Sequence, residues 1–153
     1  MKNTSLLGSF LLVAVFTMLK TGASAQQSPS INHIAIYVLD LQKSADFYKK
    51  VLLFKQIPEP FHDGKHVWLR IGSHTQLHII QGAKAIKEQD INIHLAFSVP
   101  SLQKFTAHLD QLLIKYSNWA GDNKAPTLRP DGVKQVYLQD PDNNWIEVND
   151  DKF

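Results

Sequence analysis

The chain is predicted to be α+β, built as two tandem βαβββ modules at about residues 31–82 and 91–150, with helices covering one face of the strands. Three observations carry that prediction. A stretch occurs twice: Asn32-His33-Ile34-Ala35-Ile36-Tyr37-Val38 followed by Leu41-Gln42-Lys43 returns as Ile93-His94-Leu95-Ala96-Phe97-Ser98-Val99 followed by Leu102-Gln103-Lys104, with His, Ala, Val, Leu, Gln and Lys in register. Each copy alternates apolar and polar residues and then shifts to helical spacing, as a strand feeding a helix does. Each half then runs through further short strand-like segments divided by turn residues.

Taken in order, residues 26–30 (Gln-Gln-Ser-Pro-Ser) read as a polar lead-in, and the first strand covers about 31–38. Asp40 and Ser44 stand near the start of a helix expected to reach Leu53, because Ala45, Phe47, Tyr48, Val51 and Leu52 recur at helical spacing. Phe54 to Ile57 makes a short strand stopped by Pro58-Glu59-Pro60, His62-Asp63-Gly64 a turn, and His66–Ile71 and Thr75–Gln81 two further strands. A polar linker at 82–90 precedes the second strand-helix pair, whose helix begins after Pro100-Ser101 and is expected to reach Lys115. A segment around Tyr116 to Trp119 and the runs Val133–Gln139 and Trp145–Asn149 complete the unit. Ala120 to Gly132 is read as a long loop and Asp140-Pro141-Asp142-Asn143-Asn144 as a turn.

The first 25 residues have the layout of a secretory signal peptide: Lys2, an apolar run from Leu6 to Leu19, and Ala23-Ser24-Ala25 as the cleavage site. Cleavage would leave a domain from 26 to 153, secreted or periplasmic, with no membrane segment, since the run is short for a span. Lys2 and Lys20 go with the leader, bringing the basic residues, 16 in the full chain, to parity with the 14 acidic ones. No basic stripe suggests a nucleic-acid partner. There is no cysteine, so disulfides and thiolate ligands are excluded and any metal must be held by nitrogen and oxygen.

On the first strand of each module a histidine shares its face with small or polar residues: His33 with Ala35 and Tyr37, His94 with Ala96 and Ser98. The last strands are equivalent too, Leu77-His78-Ile79-Ile80 against Ile146-Glu147-Val148-Asn149. His33, His78, His94 and Glu147 therefore project from the face the helices leave open. Three imidazoles and one carboxylate suit one divalent first-row ion per site, without distinguishing Zn, Ni, Fe, Mn or Co. His33, His94 and Glu147 would suffice as a facial triad if His78 were not a ligand. Glu147 is also the candidate catalytic base. Trp68, Arg70, Tyr137 and Trp145 alternate in phase with the open face and are candidates to line a substrate pocket, and His66 shares that phase. His62, His74 and His108 read as surface or turn residues.

His33-x-Ala-x-x-Val with Asp46-Phe47-Tyr48, the second His94-x-Ala-x-x-Val, Asp140-Pro141-Asp142 and Trp145-Ile146-Glu147-Val148 resemble the vicinal oxygen chelate superfamily. That superfamily includes glyoxalase I, fosfomycin-resistance proteins, extradiol dioxygenases and bleomycin-binding proteins. The resemblance implies a cupped mixed β-sheet, a metal held by the first and last strands of each module, and a homodimer whose modules pair between subunits. It implies a glyoxalase-like lyase or isomerase that chelates vicinal oxygens of a small-molecule substrate. The alternatives are an extradiol-type ring-cleaving dioxygenase and a metal-free small-molecule-binding module. Three features depart from closer relatives: His78 stands where glyoxalase I usually has an acid, Ala35 where fosfomycin-modifying members usually have threonine, and export separates the chain from cytosolic glutathione.

Overall fold

Two mixed sheets are laid down by the repeat, each with a helix after its first strand. The structure, a computed structural model, describes residues 28–152; the expected signal peptide lies outside the described residues. The first module contains β1 (His33–Val38), α1 (Leu41–Val51), β2 (Lys55–Ile57), β3 (His66–Arg70) and β4 (Gln76–Gln81). The second contains β5 (His94–Ser98), α2 (Leu102–Gln111), β6 (Tyr116–Ser117), β7 (Thr127–Leu128), β8 (Lys134–Gln139) and β9 (Trp145–Asn149). The strand orders are β1-β4-β3-β2 and β5-β9-β8-β6, with β7 also on β8. In both modules the first strand pairs parallel with the last, and the remaining pairs are antiparallel.

Both helices start on side-chain caps. Asp40 accepts from Lys43 N at 3.0 Å and Ser101 from Lys104 N at 3.3 Å, each satisfying an amide that has no partner in the first turn. They end earlier than helical spacing suggested, at Val51 and Gln111 rather than Leu53 and Lys115. Leu53 and Leu113 take left-handed backbone (φ 59° and 56°), and Phe54 N returns to Tyr48 O, Ile114 N to Leu109 O. Helices commonly close this way, normally on glycine. The stretch read as a loop holds the two-residue β7, which exists through its pairing of Thr127 with Gln135 and Leu128 with Lys134.

One face of β1, β3, β4, β8 and β9 feeds a common core, against which Leu95 and Phe97 of β5 pack half-buried. Ile36 and Val38, Val67 and Leu69, Leu77 and Ile79, Val136 and Leu138, and Ile146 and Val148 are buried together with Ala45, Tyr48, Val51, Leu102 and Leu109 from the helices. The modules are also tied by polar contacts. Asp142 on the β8–β9 turn accepts from Leu39 N (2.7 Å) and Ser44 Oγ (2.8 Å), and Asp140 accepts from Tyr48 Oη (2.9 Å). The Asp140-Pro141-Asp142 turn therefore anchors the start of α1. Among the described residues no helix is long and apolar enough to cross a membrane.

Candidate metal centre

The second module carries the more developed half of the site. On the face opposite the core, Ala96 of β5, Glu147 of β9 and Tyr137 of β8 lie side by side in the pairing register. Alanine leaves room beside the carboxylate, and the tyrosine supplies a hydroxyl. Glu147 is 6% exposed, and neither of its oxygens lacks a donor: Tyr137 Oη donates to Oε2 at 2.7 Å and Asn149 Nδ2 to Oε1 at 2.7 Å. Gln135 Nε2 donates to Tyr137 Oη at 2.7 Å, and Ser98 Oγ to Asn149 Oδ1 at 3.0 Å. Burial, then the hydrogen bond to Glu147, pushes the Tyr137 phenol well above its ordinary value, so it remains a donor.

His94 completes this half. Its Nδ1 lies 2.7 Å from the Ile91 carbonyl, an oxygen that only accepts, so Nδ1 bears the hydrogen and Nε2 the lone pair of the neutral ring. That Nε2 lies 3.4 Å from Glu147 Oε2. A separation of this size leaves room for a cation held by both atoms. Two donors each about 2.1 Å from one first-row ion, at angles of about 90 to 110°, are themselves about 3.0 to 3.4 Å apart. The pair therefore fits a divalent ion, and the Ile91 carbonyl is the kind of outer partner that orients a metal-binding histidine.

The first module places His78 and Trp68 in the positions that Glu147 and Tyr137 hold in the second, with Ala35 paired to His78 as Ala96 is to Glu147. The contents differ in kind. His78 lies between two parallel rings, Trp68 at 3.9 Å and 2° and His33 at 4.1 Å and 10°. His78 Nε2 meets Gln76 Oε1 at 2.9 Å, and His33 Nδ1 meets Asn32 Oδ1 at 2.8 Å, which leaves His33 Nε2 without a partner in this network. Burial, then the neighbouring His33 and His66, holds the His78 imidazole below the usual histidine range. Phe61 extends the aromatic surface, stacked on His66 at 4.5 Å and edge-on to Trp68.

The four expected ligands thus come as two pairs, His33 with His78 and His94 with Glu147. Among the described residues no three acidic or histidine side chains converge on one point within a single chain. Of the expected pocket residues, Tyr137 touches Glu147, Trp68 stacks on His78, and Trp145 is half-buried with Nε1 donating to Gln89 O at 2.9 Å. Arg70 is exposed and folds onto its own hairpin, donating to Ser73 O at 3.2 Å. His66 is engaged by Asp63 at 2.9 Å, His62 lies 3.8 Å from Glu59, and His108 meets Lys50 O at 2.9 Å. Sequence reasoning missed Gln135, Asn149 and Arg129. The first two alternate in phase with Tyr137 and Glu147, a signal that was present. Arg129 follows β7, pairs with Asp131 and brings Nη1 to 4.0 Å from Glu147 Oε1, and no periodicity marks it.

Known proteins place this architecture. The chain is 26% identical over 123 residues to the Uncharacterized protein YwbC of Bacillus subtilis (strain 168), covering 76% of this chain and 94% of the relative. A lactoylglutathione lyase from Agrobacterium tumefaciens superposes with a TM-score of 0.61 at 19% identity, covering 81% of this chain and 95% of that one. The genomically encoded fosfomycin resistance protein FosX from Listeria monocytogenes gives 0.63 at 21%, covering 80% and 93%. These two likenesses concern the fold. The family model for the Glyoxalase/Bleomycin resistance protein/Dioxygenase superfamily matches residues 30–148, and the chain belongs to that superfamily.

Proposed function

We propose that this chain is a divalent-metal-dependent, glyoxalase-like lyase or isomerase acting on a small molecule with two adjacent oxygens. His33, His94 and Glu147 are its metal donors, and the site is completed between the first module of one copy and the second module of another. The observation that carries this reading is the 3.4 Å approach of His94 Nε2 to Glu147 Oε2, with the histidine hydrogen committed to Ile91 O. A bound ion would supply Lewis-acid polarisation of the substrate oxygens. The chain's own residues do the rest. Glu147 Oε2 is the atom that takes and returns the substrate proton, Tyr137 and Asn149 hold the carboxylate in place, and Trp68 with Phe61 set edge-on to it offers an aromatic wall. The leader expected at 1–25 would make this an exported enzyme, so the thiol partner of cytosolic glyoxalases would not be its co-substrate. Mass measurement of the exported protein checks the cleavage after Ala25.

The stacked surface of Trp68, His78 and His33 favours a second reading, ring-opening oxygenation of a planar aromatic diol by the same two-histidine, one-carboxylate set. Elemental analysis of the purified protein beside His33→Ala and Glu147→Ala tests the shared premise. About one divalent ion per site is expected in the parent, with clear loss in both variants; retention in both would remove the proposal. Oxygen uptake with catechols against proton exchange or elimination with α-hydroxycarbonyl substrates separates the two chemistries.

A further inference from the structure

We infer that His78 is a positioning residue, the middle ring of a stack that fixes the orientation of His33, and not a metal ligand. The inference rests on the proposed donor set of His33, His94 and Glu147. The duplicated architecture would make His78 the counterpart of Glu147, since each pairs with the alanine two residues after the module's first histidine. Its surroundings assign it another task. An imidazole donates a lone pair in the plane of its ring. Rings 10° from parallel with centroids 4.1 Å apart, as His33 and His78 are, direct their lone pairs along nearly parallel planes that do not meet at one ion. Tilting His78 toward a shared ion would break its 2° stack on Trp68 at 3.9 Å and its 2.9 Å contact with Gln76 Oε1.

His33 is the partner with freedom to lose. It lies exposed at the start of an edge strand, and among the described residues its one side-chain hydrogen bond is with Asn32 Oδ1. A parallel ring against its face limits rotation about χ2, while Asn32 selects the nitrogen that stays bound to hydrogen. Together they present Nε2 in one orientation, as outer partners of ligating histidines do. Trp68 in turn backs His78, so the stack runs from the sheet interior to the exposed donor.

The test is chelator-competition measurement of metal affinity for the parent, His78→Phe, His78→Ala and His33→Ala, with urea midpoints recorded for each. Phenylalanine keeps a flat ring but cannot ligate, so His78→Phe is expected to bind metal within about three-fold of the parent, while His78→Ala weakens binding by about ten-fold and His33→Ala by more. Loss in His78→Phe as large as in His33→Ala, with folding intact, would show that His78 ligates and overturns the inference. Unchanged affinity in His78→Ala would overturn it from the other side, since the stack would then orient nothing. If His78→Phe is unfolded, His78→Trp repeats the comparison with a flat ring that cannot ligate, and Trp68→Leu removes the backing ring while keeping the imidazole, with weakened binding expected in the second and not in the first. A parent that binds no metal removes the proposed function and this inference together, whereas either variant outcome against a metal-binding parent removes the inference alone.

Discussion

Leu53 and Leu113 occupy equivalent positions two residues past each helix, at φ 59° and 56°, and are 68% and 89% exposed. A side chain in left-handed backbone costs about 1 to 2 kcal/mol, and these two recover little by burial. Leu53→Gly and Leu113→Gly should each raise stability by about 0.5 to 1 kcal/mol after the added flexibility of glycine is discounted, read as a shift of the urea midpoint. Leu→Ala at the same sites keeps a Cβ and should give no gain; equal gains from both substitutions would refute backbone strain as the cause. Tyr137 sets a second case. Tyr137→Phe removes the donor to Glu147 Oε2 and the acceptor for Gln135, at a cost of about 1 to 2 kcal/mol, and should weaken metal binding about ten-fold. Unchanged affinity would mean the phenol does not hold the carboxylate. Glu147 could be singled out as a candidate because it alternates with apolar neighbours on a repeated strand. That its oxygens are held by Tyr137 and Asn149 depends on cross-strand distances that one strand's alternation does not encode.

Helix beginnings could be read because Asp40 and Ser101 are capping residues, whereas the ends could not because leucine stands where glycine would have marked the stop. β7 was hidden for a related reason: Thr127-Leu128 sits among Gly, Asp, Asn and Pro and is a strand only through its pairing with β8. The β8–β9 turn was recognised as a turn, but its role in joining the modules was not, since that depends on Leu39, Ser44 and Tyr48 far away in sequence. Burial raises the Asp140 carboxyl above the usual aspartate value despite the donors from Asn144, Tyr48 and Asp142. A carboxyl whose folded pKa lies above its unfolded value binds its proton more tightly in the native state. Its contribution is largest below the unfolded value near 3.8 and declines as pH rises through the raised folded value. The stability difference between the parent and Asp140→Asn should therefore shrink from pH 4 upward, measured by urea unfolding across pH 4 to 7. A difference that grows over that interval would reverse the assignment.

Across the whole molecule, the repeat made the two modules and the pairing of first and last strands legible, because β1 with β4 and β5 with β9 copy the same register. What the repeat does not specify is which two modules face each other, and that choice decides where the proposed metal donors would meet. Within one described chain the donors remain in separate pairs. The proposed assembly, in which the first module of one subunit meets the second module of its partner, makes a demanding prediction for mixed dimers. His33→Ala spoils only first modules and Glu147→Ala only second modules. A dimer of one chain of each kind would therefore hold one undamaged site and one doubly damaged site. Equal mixing after subunit exchange gives mixed dimers in half the population, so metal content and turnover should recover to about one quarter of the parent level, although neither variant binds metal alone. Modules that closed on each other within a single chain would leave every site damaged after mixing. Recovery at or near zero, with exchange confirmed by mass spectrometry of the dimers, would therefore place the site inside one subunit.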